Sequence, residues 1–207
     1  FGLRRFADTT IPGIQALLDV TDISGQDITE REIGFVLAPR INSAGRIGET
    51  KDALKLLLTD DPTEALLLAR KLDQTNQERR TEDQRTLEEA LELLEHDHDL
   101  SRDMGVVLAS DGWHPGVIGI VASRIVEKIQ RPVLIIALDG ERGRGSGRSI
   151  PGFNLFEALK KCSEYLIRFG GHEQAAGMDV AREALPDLRE AFNTAASQLF
   201  SSDQVRP

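Results

Sequence analysis

The pattern of apolar positions divides the chain into a helical first part and a later part in which strands and helices alternate. Residues 62–95 contain no glycine and only the proline at their start, so we expect one helix of about 34 residues. Leucines cluster at its two ends, whereas residues 73–86 hold no large apolar side chain. Such a helix is typical of a rod that connects two packed bodies. The alternative, a polar loop, has no turn residues to support it.

Shorter helices are predicted before this rod. Two helical pieces within residues 1–20 are separated at Pro12-Gly13, and Thr29 with Glu32 has the sequence of a capping box at a helix start. Residues 39–48 are punctuated by proline and glycine, and we interpret them as a loop. A further helix is expected at residues 50–58.

After residue 102 the pattern predicts short buried strands between amphipathic helices. The expected strands are residues 106–109, 133–137, 142–150 and 175–180, and the expected helices are residues 117–129, 155–165 and 183–200. This order predicts a small α/β domain with a mixed sheet. The predicted organisation is therefore a helical portion at residues 1–60, a long connecting helix at 61–101 and the α/β domain at 102–207.

Composition limits the class of protein. The single cysteine, Cys162, excludes an internal disulfide framework and a cysteine-based zinc cluster, and it indicates a reducing, cytoplasmic compartment. No apolar run reaches the roughly 18 residues that a membrane span requires. The net charge of −9 argues against nucleic acid as a partner. However, residues 49–103 carry 16 acidic and 8 basic side chains, whereas residues 131–172 carry 7 basic and 4 acidic ones, so a nucleic-acid surface is expected only in the later region.

The first candidate site is the glycine-rich strand that includes residues 143–149. Its three alternating glycines leave one face of the strand without side chains, so a ligand or another backbone can approach closely. Ser146 and Arg148 add a hydroxyl and a guanidinium, which together suit a phosphate oxygen. A flexible glycine loop is the competing interpretation.

The second candidate is Gly170-Gly171-His172. Paired glycines permit positive φ angles and expose consecutive N–H groups, which predicts an anion-binding nest with an imidazole beside it. A lone histidine is more often structural. Its position in the same small domain as the first motif favours a functional role.

Two weaker candidates come from turns. Trp113 and His114 precede a helix whose N-terminus offers free N–H groups to an anion, and both packing and function remain open for them. Asn42 and Arg46 lie in the loop predicted before residue 48.

The run at residues 96–99, His-Asp-His-Asp, has the spacing of metal ligands. We interpret it as a solvated helix end, because alternating neighbours rarely converge on one ion.

Together these stretches resemble the RecJ family of DHH-type phosphoesterases, in order and spacing, over nearly the whole chain. The blocks at residues 112–124, 146–149 and 170–172 are similar to the DHH-associated domain of that family. Residues 39–46 resemble the last part of the preceding DHH domain. The rod resembles the interdomain helix of the family at Asn76, Glu78, Arg79 and Arg80.

The resemblance implies a nuclease that removes nucleotides from the 5′ end of single-stranded DNA with Mn²⁺ or Mg²⁺ held by the DHH domain. No Asp-His-His triplet occurs in this sequence, so we expect the metal ligands upstream of Phe1 and no catalytic residue within the chain, which alone is expected to be inactive. The implied substrate-binding residues are Asn42, Arg46, His114, Ser146, Gly147, Arg148, Ser149, Gly170, Gly171 and His172.

Two other functions share some of these features. Smaller DHH phosphodiesterases, which cut short oligonucleotides or cyclic dinucleotides, have similar glycine-rich and Gly-Gly-His elements, but the long rod and the tryptophan-containing block favour the RecJ family. A non-catalytic RNA- or DNA-holding appendage is the second alternative. The rod and the stretch at residues 39–46 count against it.

Overall fold

The computed structural model of the chain describes Leu3, Phe6 and residues 9–200. The chain divides into two compact units, Phe1–Thr81 and Glu82–Pro207. Most of the helical piece predicted before Pro12 lies outside the described residues. Among the described residues, no helix has the length and apolar character needed to cross a membrane.

Short helices make up the first unit before the long helix begins. They are α1 (Pro12–Val20), α2 (Glu30–Glu32), a π-helical segment (Ile33–Leu37), α3 (Ala38–Ala44) and α4 (Thr50–Leu58). The predicted capping box is confirmed, because the Thr29 amide donates to Glu32 Oε2 at 3.0 Å and the Thr29 hydroxyl accepts from the Arg31 amide at 3.2 Å. The helix predicted at residues 50–58 is also confirmed.

The loop predicted at residues 39–48 was wrong over its first half, which forms α3. Pro39 is the second residue of that helix, which continues directly from the π-helical segment. Arg40 then fixes α3 in place. Its Nε donates to Asp73 Oδ1 at 2.7 Å, and its Nη1 donates to the Val36 carbonyl at 2.6 Å.

The long helix α5 (Pro62–Asp97) confirms the predicted rod as one element of 36 residues. It buries one continuous stripe, spaced by three and four residues, that is apolar at both ends and polar in the middle. Asn76, Asp83 and Thr86 in this middle part are at most 8% exposed. The centre of the helix is therefore polar without being solvated on every side, which its composition alone did not reveal.

The second unit contains a mixed sheet, as predicted, with five strands rather than the four expected. Its strands are β1 (Val106–Asp111), β2 (Val133–Asp139), β3 (Arg142–Arg148), β4 (Arg168–Gly171) and β5 (Ala175–Ala181), in the spatial order β1-β2-β3-β5-β4. β1 and β2 are parallel, and the other pairs are antiparallel. The edge strand β4 was not predicted, because its two glycines and four-residue length give no strand signal.

Three helices cover this sheet. α6 (Ile118–Ile129) packs against β2 and β3 on one face, and α7 (Leu155–Lys161) lies on the other, where its Leu155 faces Gly147. α8 (Leu185–Leu199) packs against α7 and β1. The helix predicted at residues 155–165 ends at Lys161, and a 3₁₀ turn, Ser163–Tyr165, follows it. The buried residues of both faces form one core that includes Trp113, Phe153 and Phe192.

Candidate functional site

On the face of the sheet that carries α6, the described residues Arg168, Gly170, Ala175 and Gly177 are exposed, and we call this face of β3, β5 and β4 the open face. Side chains alternate along a strand, so the open face receives every second residue of β3, β5 and β4. Cross-strand register aligns Ser146 with Gly177 and Gly170 in one row, and Arg144 with Asp179 and Arg168 in the next. The residues of the open face are Arg142, Arg144, Ser146, Arg148, Arg168, Gly170, Ala175, Gly177, Asp179 and Ala181.

The three glycines of β3 point away from the open face, toward the core. A Cβ on Gly143 would lie 2.5 Å from Ile136 Cγ2, and one on Gly147 would lie 2.8 Å from Leu134 Cδ2. The interpretation that these glycines leave a face free for a ligand was therefore wrong. They make room for large side chains of the neighbouring strands and of α7, and Gly147 can meet a ligand only through its backbone.

Ser146 and Arg148 lie side by side on the open face, as the sequence predicted for a shared role. Arg148 Nη1 donates to Ser146 Oγ at 3.0 Å and to the Gly147 carbonyl at 2.8 Å. The first turn of α6 abuts the pair, since a Cβ on Gly119 would lie 2.9 Å from Arg148 Nη2. Ser149, which follows β3, donates its hydroxyl to the Phe153 carbonyl at 3.2 Å and so serves the loop that it begins.

Gly177 and Gly170 form a strip without side chains beside Ser146. A Cβ on either glycine would meet no atom within 4 Å, and no positive φ angle requires glycine at these two positions. The protein's own packing therefore does not explain them. A bare backbone surface at such a place allows close approach by something outside the chain.

Gly171 and His172 end the edge strand rather than forming the predicted anion-binding nest. Gly171 has a φ of +150°, and a Cβ there would lie 2.4 Å from the Ala175 carbonyl oxygen, so the tight turn into β5 requires glycine. The His172 amide donates to that same carbonyl at 2.8 Å, which leaves it unavailable to an anion. The His172 side chain is exposed and lines a cavity of about 630 Å³ together with Asn154 and Phe156.

Trp113 and His114, in the turn before α6, have different surroundings. Trp113 is 3% exposed, and its indole N–H donates to Glu89 Oε2 at 2.8 Å, so it joins the turn to α5. His114 is exposed, and its Nδ1 accepts from the Gly116 amide at 3.0 Å. The structure thus gives Trp113 a packing role and leaves His114 accessible.

Asn42 and Arg46 belong to the first unit. Asn42 is exposed on α3, and Arg46 is exposed in the turn that follows this helix. The Ser43 carbonyl accepts from the amides of Arg46, Ile47 and Gly48, which fixes this turn. Their predicted contribution to a shared substrate site stays a prediction.

Positive charge dominates the open face although the whole chain is acidic. Arg142, Arg144, Arg148 and Arg168 lie there beside one carboxylate, Asp179, which is bonded to Arg168 Nε at 2.5 Å. The Arg144 side chain is exposed and forms no hydrogen bond or ion pair with another described residue. The sequence pattern did not point to Arg144, although it lies two residues before Ser146 and therefore on the same face.

Several titratable groups of this unit have shifted pKa values, and two of them, Asp111 and Cys162, lie outside the open face. The Arg182 guanidinium, bonded to Asp111, lowers the pKa of that carboxyl. Burial raises the pKa of the Cys162 thiol to about 11, so it stays protonated and is a poor nucleophile at neutral pH.

Within the part of the chain that the structure describes, no group of three or more His, Cys, Asp or Glu residues could hold a metal ion. The run at residues 96–99 is not the uniformly solvated helix end that we expected. His96 is exposed, but the His98 side chain is 2% exposed, with Nδ1 at 2.9 Å from Asp103 Oδ2 and Nε2 at 3.2 Å from the Val107 carbonyl. The imidazole of His98 therefore ties the end of α5 to β1.

Comparison with known proteins extends over the whole chain. Residues 103–198 match the DHHA1 domain. The single-stranded-DNA-specific exonuclease RecJ of Bacillus subtilis is 41% identical over 211 residues, which cover 100% of this chain and 26% of that protein. The protein of the same name from Thermus thermophilus is 35% identical over 99% of this chain and 29% of its own length.

Solved structures show the same relationship. The crystal structure of RecJ in complex with Mg²⁺ from Thermus thermophilus has a TM-score of 0.85 and 36% identity, over 97% of this chain and 30% of that chain. A structure of exonuclease RecJ bound to manganese has a TM-score of 0.84 over 97% of this chain and 49% of that one. This chain spans between 26% and 37% of the length of its curated relatives. The chain is thus similar to RecJ proteins over nearly its whole length, and its residues 103–198 match the DHHA1 domain.

Proposed function

We propose that the complete protein hydrolyses phosphodiester bonds of single-stranded DNA from the 5′ end, and that the second unit holds the DNA backbone on its open face. The observation that carries this proposal is the juxtaposition of arginines with the bare strip at Gly170 and Gly177. The names of the relatives, single-stranded-DNA-specific exonucleases, support it.

The chemistry of the open face suits a phosphodiester. A guanidinium beside a hydroxyl suits a phosphate oxygen, and the Ser146 hydroxyl lies 3.0 Å from Arg148 Nη1. The bare strip lets the sugar and phosphate of a strand lie against the sheet without meeting a side chain. Contacts of this kind hold the backbone of any sequence, because they do not read base edges.

The exposed side chain of His172 lies in the turn that follows β4 and lines a cavity with Asn154 and Phe156. We assign it a hydrogen bond to the substrate, together with the backbone of Gly170 and Gly171. His114 is accessible near the start of α6 and contributes in the same way. Asn42 and Arg46 are proposed to contact the same DNA strand from the first unit, where both side chains are exposed.

Metal ions complete the proposed reaction. Mn²⁺ or Mg²⁺, when bound, would activate a water for attack and offset negative charge on the phosphoryl group. The described residues do not fit such an ion, since they contain no cluster of suitable ligands. We therefore propose that other residues of the complete enzyme hold the metal and that this chain alone does not cut DNA. In the cell we place the enzyme in the cytoplasm, in DNA repair and recombination.

A comparison of substrates tests the proposal. The complete enzyme, supplied with Mn²⁺ or Mg²⁺, is expected to degrade a long single strand labelled at its 5′ end and to leave a double strand intact. Faster turnover of dinucleotides or cyclic dinucleotides than of long strands would instead identify a small-substrate phosphodiesterase. Binding of DNA without any cleavage would identify a holding module.

A further inference from the structure

We infer that the open face binds two phosphates of one strand, and that Arg144 holds the second of them. This inference rests on the proposed function, which it makes more specific. It adds Arg144 and Asp179 to the site and makes the ligand a strand with at least two phosphates.

Spacing along β3 separates the two arginines. Arg144 and Arg148 are four residues apart on one face of an antiparallel strand, so their Cα atoms are about 14 Å apart at 3.4 Å per residue. Ser146 lies midway between them and is turned toward Arg148, to which it is hydrogen-bonded. One phosphate that is held by Arg148 and Ser146 therefore leaves Arg144 to another phosphate of the strand.

The Arg144 side chain has no structural role that the described contacts reveal. Its side chain is exposed, and no described residue forms a hydrogen bond or ion pair with the guanidinium. Other arginines of this unit are engaged within the protein: Arg168 with Asp179, Arg182 with Asp111, and Arg85 with Glu82 and Glu89. Arg144 also lines a cavity of about 310 Å³ with Arg168, Gly170 and Gly177, which places open space directly beside it.

The Asp179 carboxylate weakens phosphate binding at this second position. It lies between Arg144 and Arg168 in the register of the sheet, and only a quarter of its side chain is exposed. Its negative charge repels a phosphate that approaches Arg144, so the position binds more weakly than the one at Arg148. A weak second contact lets the strand move on after each cut.

The test is the affinity of the complete enzyme for a fluorescent oligothymidylate of about eight nucleotides, measured without divalent metal over a range of salt concentrations. Arg144→Ala is expected to weaken binding about tenfold and to reduce the salt slope by about 0.7, the value for one phosphate contact on a single strand. Arg148→Ala should reduce the slope by the same amount and weaken binding more than Arg144→Ala does, because its phosphate is held more tightly. The double variant should lose the product of the two factors and about 1.4 of slope, because separate contacts add.

Asp179→Asn should tighten binding severalfold, whereas Arg144→Ala should weaken it. A general loss of structure would not tighten binding, so this variant separates a local charge effect from unfolding. Arg102→Ala removes an exposed arginine from the turn before β1 and is the matched control; its affinity and slope should equal those of the wild type.

Wild-type affinity and slope for Arg144→Ala would overturn the second phosphate position while leaving the proposed function intact. The same holds if the double variant binds no more weakly than Arg148→Ala alone. Failure of the wild-type enzyme to bind or cut single-stranded DNA would instead overturn the proposed function itself.

Discussion

Gly119 leaves the guanidinium of Arg148 in direct contact with the backbone of α6, because a methyl group on Gly119 would lie 2.9 Å from Arg148 Nη2 and 3.1 Å from Ser146 Oγ. The glycine at this position thus makes room for the phosphate-binding pair that we propose. The atoms in the way belong to the flexible ends of side chains, which can move aside without disturbing the fold.

Gly119→Ala is therefore expected to lower activity without lowering stability. Alanine is the better helix former by about 1 kcal/mol, so the variant should be as stable as the wild type or more so. Displacement of Arg148 should lower cleavage by about ten- to a hundredfold. Thermal denaturation and cleavage of single-stranded DNA by the complete enzyme check both outcomes. Ser123→Ala, one turn further along α6, is the control and should cut normally; full activity of Gly119→Ala would contradict the assigned role of Arg148.

Arg148→Ala and His172→Ala are each expected to reduce cleavage strongly without unfolding the protein. Loss of a charge-assisted hydrogen bond to phosphate costs about 1.5–3 kcal/mol, which corresponds to roughly ten- to a hundredfold. Circular dichroism and the apparent Tm should stay at wild-type values, since the side chain of His172 is exposed. Normal turnover in both variants would show that neither side chain touches the substrate.

Gly170→Ala and Gly171→Ala form a matched pair of neighbours with opposite expected effects. At Gly170 an added methyl group has open space and an ordinary φ, so stability should not change but DNA affinity should fall. At Gly171 the methyl group meets the Ala175 carbonyl at 2.4 Å with φ at +150°, and destabilisation by about 1–3 kcal/mol is expected. Urea denaturation and DNA-binding curves of both variants measure the two effects. Unchanged DNA affinity for Gly170→Ala would mean that the bare strip does not receive the strand.

Trp113→Phe is expected to affect stability and not DNA binding. The substitution removes the indole N–H that donates to Glu89 Oε2 and leaves unfilled volume at a position that is 3% exposed. We expect a loss of about 1–3 kcal/mol and an apparent Tm lower by several degrees. Reduced DNA affinity at a temperature where the variant is fully folded would instead place Trp113 in the binding site.

Cys162 should resist alkylation in the native protein, because burial raises the pKa of its thiol to about 11. Iodoacetamide at about pH 8 should label the chain only after denaturation. The unfolded thiol ionises near its ordinary value of 9.0, so between that value and about 11 the unfolded chain releases a proton that the native chain retains. Stability should accordingly fall as pH rises through this window, and Cys162→Ala should lose that part of the pH dependence. Rapid labelling of the native protein would show that the thiol is accessible.

The sequence predicted the elements whose residues carry a strong periodic signal. The helix at residues 62–97 and the capping box at Thr29 follow from local preferences that the folded chain keeps. The helix at Ala38–Ala44 was missed because a proline and a glycine at its two ends resemble loop punctuation, although both positions tolerate helix ends. The short strand β4 forms only because β5 supplies its hydrogen bonds, which no local pattern of Arg168–Gly171 encodes.

For the candidate site, the sequence identified residue types but not the directions in which they point. It grouped Ser146 and Arg148 correctly, since a spacing of two residues places them on one face. It assigned the glycines of β3 to the ligand side, whereas burial places them in the core. Recognition of Gly119 and Asp179 required cross-strand register and helix packing, which are properties of the tertiary structure.

The two faces of strand β3 consequently have separate roles. β3 supplies no side-chain volume to the core, where Ile136, Met178 and Leu155 fill the space over its glycines. On the opposite face, Arg142 and Arg144 are exposed, so their identity is decoupled from packing, whereas Ser146 and Arg148 also pack against α6. Exchange of Arg142 or Arg144 for other polar residues should therefore change the ligand preference of this surface at little cost in folding, which makes these two positions suitable for engineering new specificity.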